Sequence, residues 1–292
     1  MGVLRLGVMC GVGNRRDVAA GLDAVAAVGI ERIQVTASGP VPPSGWADIL
    51  GQCQNRGIAV AAIGCYANLV RPRDRTLHGA SAEDALVALR ALGVAGVERP
   101  QVVVWSGTFG NHLLAADRRN RTLATWDALV AVAAAMARQA HALGGRILIE
   151  PYHRHCLATP RDYLLFLRDA LDAAGVSADP AAAPLGVVLD PPNLLSAADL
   201  DDLDANLAEA VEALGAWAGL VHLKDIASPS GPAGVPALPA PGEGRIAYPE
   251  YLRRLTEGVN GEVAAIAEHF DFRDPAALRR VTAFLVEAGV RP

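Results

Sequence analysis

The chain has 292 residues, 52% of them apolar, and a net charge of −5, which allows one large domain with a sizeable core. An acidic balance without a run of basic residues excludes the electrostatic footprint of a nucleic-acid binder. No window approaches the roughly 18 uninterrupted apolar residues of a membrane span, and four scattered cysteines (Cys10, Cys53, Cys65, Cys156) with no CxxC argue against a disulfide framework and for a reducing, cytoplasmic setting.

Along the chain, short β-leaning runs alternate with longer Ala- and Leu-rich segments. The first run, VLRLGVM (3–9), lacks a basic leader and a cleavage site, so it is read as a strand rather than a signal peptide. A helix is expected near 15–28, then a strand at 30–36, a helix at 45–55 and a strand at 58–64. Next come a helix at 81–94, the strand QVVVW (101–105), a helix at 122–143 and the strand RILIE (146–150). The second half repeats the pattern: helix 160–174, strand GVVLD (186–190), helix 202–216, strand LVHLKD (220–225), helix 248–257, strand EVAAIAE (262–268) and helix 275–288. Start signals support this reading. Ser81 stands three residues before Asp84, Thr159-Pro160 precedes Asp162, and Asp274-Pro275 puts proline at a first helical position. Gly29, Gly57 and Gly145 sit where a helix would end.

Eight strand–helix units with apolar strands predict parallel strands covered by helices. Eight is also the number that closes a (β/α)8 TIM barrel, and the expectation is one such α/β barrel over residues 1–292. The alternative, an open doubly wound sheet, is not favoured, because no GxGxxG follows the first strand. The biased segment ASPSGPAGVPALPAPGEG (227–244) is a long loop, a kind that is usually functional inside a compact domain.

In a TIM barrel, chemistry gathers at the C-terminal strand ends. There the chain places Glu150, Asp190, His222 and Glu268 on strands five to eight. Three carboxylates converging on one mouth repel each other, and a divalent cation relieves that conflict. Oxygen-rich ligands with one imidazole suit Mn²⁺ best, with Mg²⁺, Co²⁺ or Zn²⁺ as alternatives. A lone strand-end acid is more often a cap or salt-bridge partner; three acids and a histidine on four successive strand ends are a different matter.

The segments ILIEPYHRH, GVVLDPPN, LVHLKDI, GEGRIAY and AIAEH resemble the sugar isomerase/epimerase superfamily with the xylose-isomerase-like barrel. That group includes ketose 3-epimerases, hydroxypyruvate isomerase, inosose dehydratase and metal-dependent apurinic-site endonucleases. The resemblance implies a metal quartet of Glu150, Asp190, His222 and Glu268, with Glu150 and Glu268 doubling as an acid/base pair on opposite faces of the substrate. It also implies a small-molecule sugar or polyol substrate and, for many members, a homo-oligomer. Three departures stand out. Asn193 replaces a histidine common in ketose epimerases, Cys156 replaces a second acid, and the arginine expected after His222 is absent. The endonuclease branch needs several more histidines than the seven present.

The activity expected is that of a divalent-metal-dependent isomerase or epimerase of a sugar or ketosugar-like polyol, working through a metal-stabilised enediolate. The runner-up is a lyase on the same site, a polyol dehydratase or a 3-keto-glycoside-cleaving enzyme. A non-catalytic ligand-binding barrel is the third reading, in which the acids are structural. His155 is assigned as an extra catalytic acid or base, since imidazole titrates near neutrality; the bland reading of His153 and His155 is an exposed loop pair. Substrate contacts are assigned to His153, Asn193, Lys224, Asp225, Tyr66, Asn68, Trp105 and His112. Against these stand a core role for Trp105, a solvated loop for His112, and a Lys224–Asp225 pair of purely structural meaning. Arg71 and Arg75 are candidate anion contacts, and the 227–244 loop is a candidate lid.

Overall fold

The computed structural model describes residues 2–12, 15–76, 79–112, 115–229 and 235–292. Eight strands run parallel in chain order and close on themselves: β1 (Val3–Val12), β2 (Arg32–Ala37), β3 (Ala59–Asn68), β4 (Gln101–Trp105), β5 (Arg146–Glu150), β6 (Leu185–Leu189), β7 (Ala218–Leu223) and β8 (Glu262–Ala267). Closure is a six-residue parallel ladder from Val3↔Glu262 to Val8↔Ala267. Helices α1 (Arg15–Ala27), α2 (Pro43–Gln54), α3 (Ala82–Val94), α4 (Leu123–Ala142), α5 (Pro160–Ala174), α7 (Leu203–Leu214), α8 (Tyr248–Gly258) and α9 (Pro275–Ala288) cover the outside, and a single turn, α6 (Pro191–Leu194), follows β6. The chain is thus the (β/α)8 barrel expected. Among the described residues no helix is long and apolar enough to cross a membrane.

The helix starts form for the reasons read in the sequence. Ser81 with Asp84 and Thr159 with Asp162 make reciprocal capping boxes, and Asp274 accepts from Ala276 N ahead of Pro275. Gly29 and Gly57 adopt the left-handed turn expected of them, but at the α4–β5 junction Gly144 takes that role (φ 64°) and Gly145 does not. Gly145 is a matter of space instead, because a Cβ there would lie 2.8 Å from Pro100 O. β3 also runs four residues further than its apolar run suggests. Tyr66 bends it through a left-handed φ of 51° and the ladder to β4 shifts register between Gly64 and Asn68, as at a bulge that re-aims side chains beside a site.

Strand alternation sorts the side chains into two cores. Outward residues such as Ile147, Ile149, Val187, Val221 and Ala265 pack under the helices. Inward ones, Ala62, Val103, Leu148, Val188, Leu220 and Ile266, fill the barrel's middle. Each fully buried aliphatic side chain in such a layer contributes about 1.5–3 kcal/mol. Below this layer sit two polar groups. Arg146, only 4% exposed, donates from Nη2 to the carbonyls of Trp217 (3.2 Å), Leu185 (3.3 Å) and Pro180 (3.4 Å). Gln101 donates to Gly219 O (3.1 Å) and Ala61 O (3.4 Å). Glycine fits opposite the guanidinium because a Cβ on Gly186 would lie 2.8 Å from the backbone Trp217 O as well as 2.3 Å from Arg146 Nη2.

Candidate metal centre

One step above the apolar layer, the same alternation presents Glu150, Asp190, His222, Lys224 and Glu268 inward. Each extends the inward row of its strand: Leu148 then Glu150, Val188 then Asp190, Leu220 then His222 and Lys224, Ile266 then Glu268. All five are buried, at 6% exposure or less. His222 Nδ1 stands 3.5 Å from Asp190 Oδ2, 3.6 Å from Glu150 Oε2 and 3.6 Å from Glu268 Oε1. The three carboxylates assigned with His222 to a metal quartet thus each bring an oxygen within 3.6 Å of its Nδ1. Glu150, Asp190 and His222 come closest, each offering a ligand atom within 4.8 Å of the others.

The imidazole is held from behind. His222 Nε2 donates to Gln34 Oε1 at 2.8 Å, and Gln34 Nε2 donates to the Tyr66 hydroxyl at 2.9 Å. With a proton fixed on Nε2, it is Nδ1 that faces the carboxylates, and an acceptor behind the ring sets both its orientation and its basicity. Burial by itself would lower the His222 pKa, but the Glu268 and Glu150 carboxylates outweigh it and raise it to about 10. Asn193, on the α6 turn, donates from Nδ2 to both Asp190 Oδ2 (2.8 Å) and Glu150 Oε1 (3.2 Å). Lys224 Nζ lies 2.6 Å from Asp190 Oδ2 and donates to Glu268 Oε1 as well. Burial opposes ionisation of Glu268, yet Lys224 and His222 hold its carboxyl below the usual range.

Three atoms of the cluster remain unsatisfied: Glu150 Oε2, Asp190 Oδ1 and His222 Nδ1 are buried without a hydrogen bond. An orphaned buried polar group costs about 1–3 kcal/mol, more if charged, and orphans in a native site call for an explanation. Two carboxylates and an imidazole gathered within 4.8 Å, with unspent acceptors among them, are the donor set of a hard or borderline divalent cation. The residues present fit such an ion.

Beside Glu150 an aromatic wall forms. Ring centroids run from Tyr66 to Trp105 (5.0 Å), to His155 (5.2 Å), to Tyr152 (5.1 Å) and to His153 (4.8 Å). His155 is 1% exposed, so it is no loop-surface residue. His153 is half-buried and its backbone N–H donates to Asn193 O at 2.9 Å, tying the β5 loop to α6. Trp105 and Tyr66 are half-buried members of the same wall, and Cys156 is a buried filler.

Other assigned contacts are placed elsewhere. The Asp225 carboxylate accepts from three backbone N–H groups, Ile226 (2.8 Å), Ile246 (3.0 Å) and Gly242 (3.1 Å). It anchors both ends of the 227–244 loop rather than reaching toward a substrate, and it does not pair with Lys224. Successive residues on an extended chain point to opposite sides. Asn68 is buried with Nδ2 donating to Thr108 O at 2.9 Å, a clamp between the β3 and β4 ends. His112 is exposed in the loop after β4, outside the buried cluster. Arg75 is bidentate to Asp84, and Arg71 donates to Phe109 O at 3.1 Å and stacks on that ring. The tip of the candidate lid, 230–234, lies outside the described residues.

The sequence reading misses Gln34. Its signal is faint but present: in the strand RIQVT, Gln34 is the polar residue between outward Ile33 and Val35, hence inward. Tyr163 and Tyr248 are missed too. Their hydroxyls donate to the backbone carbonyls of Glu150 (3.3 Å) and Lys224 (3.0 Å), fixing the two strand ends.

Comparison with curated proteins finds no match. Among solved structures, the chain is similar to 3-keto-D-glucoside 4-epimerase from E. coli, at 16% identity and TM-score 0.67 over 97% of this chain and 99% of that one. It is also similar to D-allulose 3-epimerase from Methylomonas sp., at 15% identity and TM-score 0.67 over 99% of each. A xylose isomerase-like TIM barrel protein from Mycobacterium smegmatis in complex with magnesium matches at 16% identity and TM-score 0.67, over 95% of this chain and 90% of that one. At such identities the likeness is one of fold. A family model described as xylose isomerase-like TIM barrel matches residues 18–287, nearly the whole barrel. This chain belongs to the xylose isomerase-like TIM barrel family.

Proposed function

We propose that the protein is a divalent-metal-dependent isomerase or epimerase of a sugar or ketosugar-like polyol. The observation that carries this reading is the buried convergence of Glu150, Asp190 and His222, each offering a ligand atom within 4.8 Å of the others, in a cluster where Glu150 Oε2, Asp190 Oδ1 and His222 Nδ1 have no hydrogen bond. Glu150, Asp190, His222 and Glu268 would hold the cation. When bound, it supplies Lewis-acid stabilisation of negative charge on a substrate carbonyl oxygen.

The protein's own groups divide the remaining work. Glu150 and Glu268 come from the ends of β5 and β8, with β6 and β7 between them, and their carboxylates each stand 3.6 Å from His222 Nδ1. They are not equivalent. Glu268 is bonded to an ammonium, whereas Glu150 receives only the neutral Asn193 amide. Glu150, free of that ammonium, is the one placed to take the proton from the carbon beside the carbonyl. In an epimerisation Glu268 takes a proton from solvent and delivers it to the opposite face of the carbon, while Glu150 gives its own proton back to solvent. Delivery to the neighbouring carbon instead gives an isomerisation. The aromatic wall from Tyr66 to His153 screens the reacting carbons from water.

Burial of His155 within that wall favours a second reading, a lyase on the same site, because a sheltered imidazole is a candidate acid for a departing group. One experiment separates the two. A ketose panel is incubated with Mn²⁺-loaded protein in D₂O. Deuterium uptake next to the carbonyl with the carbon skeleton intact supports the isomerase or epimerase; loss of water or aglycone supports the lyase. Neither deuterium uptake nor turnover over the panel, with Mn²⁺ bound, removes the isomerase reading.

A further inference from the structure

Lys224 is 2% exposed, and its position two residues beyond His222 puts both side chains on the inner face of the barrel. Its Nζ bonds Asp190 Oδ2 and Glu268 Oε1. These are the same two oxygens that stand 3.5 and 3.6 Å from His222 Nδ1. An ammonium thus already occupies one edge of the ring of ligands, on atoms that a divalent ion at the centre would draw upon. Unpaired buried charges are expensive, and among the described residues Lys224 is the lysine or arginine whose charge touches this cluster. The charge sum is informative. Three carboxylates and one ammonium leave a deficit that a single divalent ion and a neutral imidazole bring to zero.

We propose that Lys224 is the resident cation of this cluster: it holds Asp190 and Glu268 in place while no metal is bound, and it competes with the divalent ion for their oxygens. Lys224 is a positioning residue in this account, and the competition rests on the metal reading above. Two consequences follow from charge alone. Replacing Lys224 by methionine, which keeps the stem and deletes the ammonium, removes the counter-charge hydrogen-bonded to Asp190 and Glu268 and leaves the imidazole of His222 to face all three carboxylates. The metal-free protein then melts lower, while a divalent ion meets both a more negative site and one less positive neighbour.

The test uses the full chain and Mn²⁺ alone as probe. Calorimetric titration of Lys224→Met is expected to show Mn²⁺ binding tighter than wild type by ten-fold or more, and Lys224→Arg, which keeps the charge, to remain near wild type. Equal or weaker binding by Lys224→Met overturns the competition, since a lysine that merely orients the ligands would weaken metal binding on removal. In EDTA, a double-mutant cycle with Glu268→Gln reads the resident role without any metal. Lys224→Met is expected to lower the melting temperature much more in the wild-type background than in Glu268→Gln, and equal losses in both overturn it. Should Lys224→Met fail to fold in EDTA, recovery of a melting transition in the Lys224→Met/Glu268→Gln double variant supports the proposal and its absence overturns it. Wild-type protein that binds no Mn²⁺ would defeat the proposed function and the competition together, while the cycle in EDTA still decides the resident role.

Discussion

The two ends of the barrel bury polar groups at similar depth and to opposite effect. At the N-terminal end, Arg146 Nη2 and the Gln101 amide donate to five backbone carbonyls that already belong to the strands and their connections, leaving a lone orphan in Arg146 Nε. At the C-terminal end, three carboxylates crowd one imidazole, and Glu150 Oε2, Asp190 Oδ1 and His222 Nδ1 are left unbonded. Between them lies the same apolar layer. Depth of burial alone therefore does not mark a functional site; unspent hydrogen-bonding capacity converging on a point does. A satisfied polar group contributes to the fold, whereas an unsatisfied cluster stores an interaction for something else to complete.

The sharpest way to break this contrast is Glu150→Gln. Losing one preorganised contact of this kind costs on the order of 10²–10³ in turnover. Turnover on whichever ketose proves active should fall by that much, while the melting temperature of the metal-free protein holds or rises as one of three crowded charges disappears. Near-normal turnover would reject the role given to Glu150. Next in size is Gln34→Leu. Outer partners of metal-bound histidines are typically worth 10–100-fold in metal affinity, so Mn²⁺ titration should weaken by about that factor, with Gln34→Glu, which restores an acceptor, closer to wild type.

Arg146→Met probes the opposite end and should invert the pattern. Carbonyls left without their donor cost about 1–3 kcal/mol of stability, read as a lower denaturation midpoint, with Mn²⁺ affinity and turnover unchanged at 25 °C. A loss of metal affinity there would erase the distinction between the two ends.

The smallest effect sharpens the comparison by separating location from satisfaction. Asp84 lies at the start of α3, yet its hydrogen bonds are complete. Burial raises its pKa, but bonds from Arg75 and Ser81 outweigh that and hold it at about 2 against an ordinary 3.8. The folded value is the lower one, so its stabilisation is present above pH 3.8 and fades as pH falls through about 2. Asp84→Asn should therefore melt below wild type at pH 7, and the gap should close toward pH 2, as a pH series of melting curves would show.

The strand-end acids can be read from the chain because each ends an apolar run, and a carboxylate in that position has no packing role. The barrel itself is legible for a related reason, since eight alternations with working caps leave few other folds. Relations between distant strands are another matter. Nothing in LVHLKD separates Lys224 from Asp225 as candidates. Only closure sends one to carboxylates 34 and 44 residues away and the other to loop amides. Asn193 is legible as a polar residue near the mouth, but its bridging of Glu150 and Asp190 depends on the α6 turn. Tyr66 and Asn68 sit beyond the apolar run of β3, and the backbone twist at Tyr66 that separates wall from clamp leaves no mark on composition.

The hydrogen bond from His222 to Gln34 spans 188 positions of the chain, while all four carboxylate and imidazole donors come from its second half. A fragment beginning at the α4–β5 junction would inherit every ligand and still lack the brace that orients one of them. If the cluster holds the proposed cation, its capture should be a late event in maturation, reporting that β2 and β7 have met, and two complementary half-barrels should recover tight Mn²⁺ uptake only on reassembly.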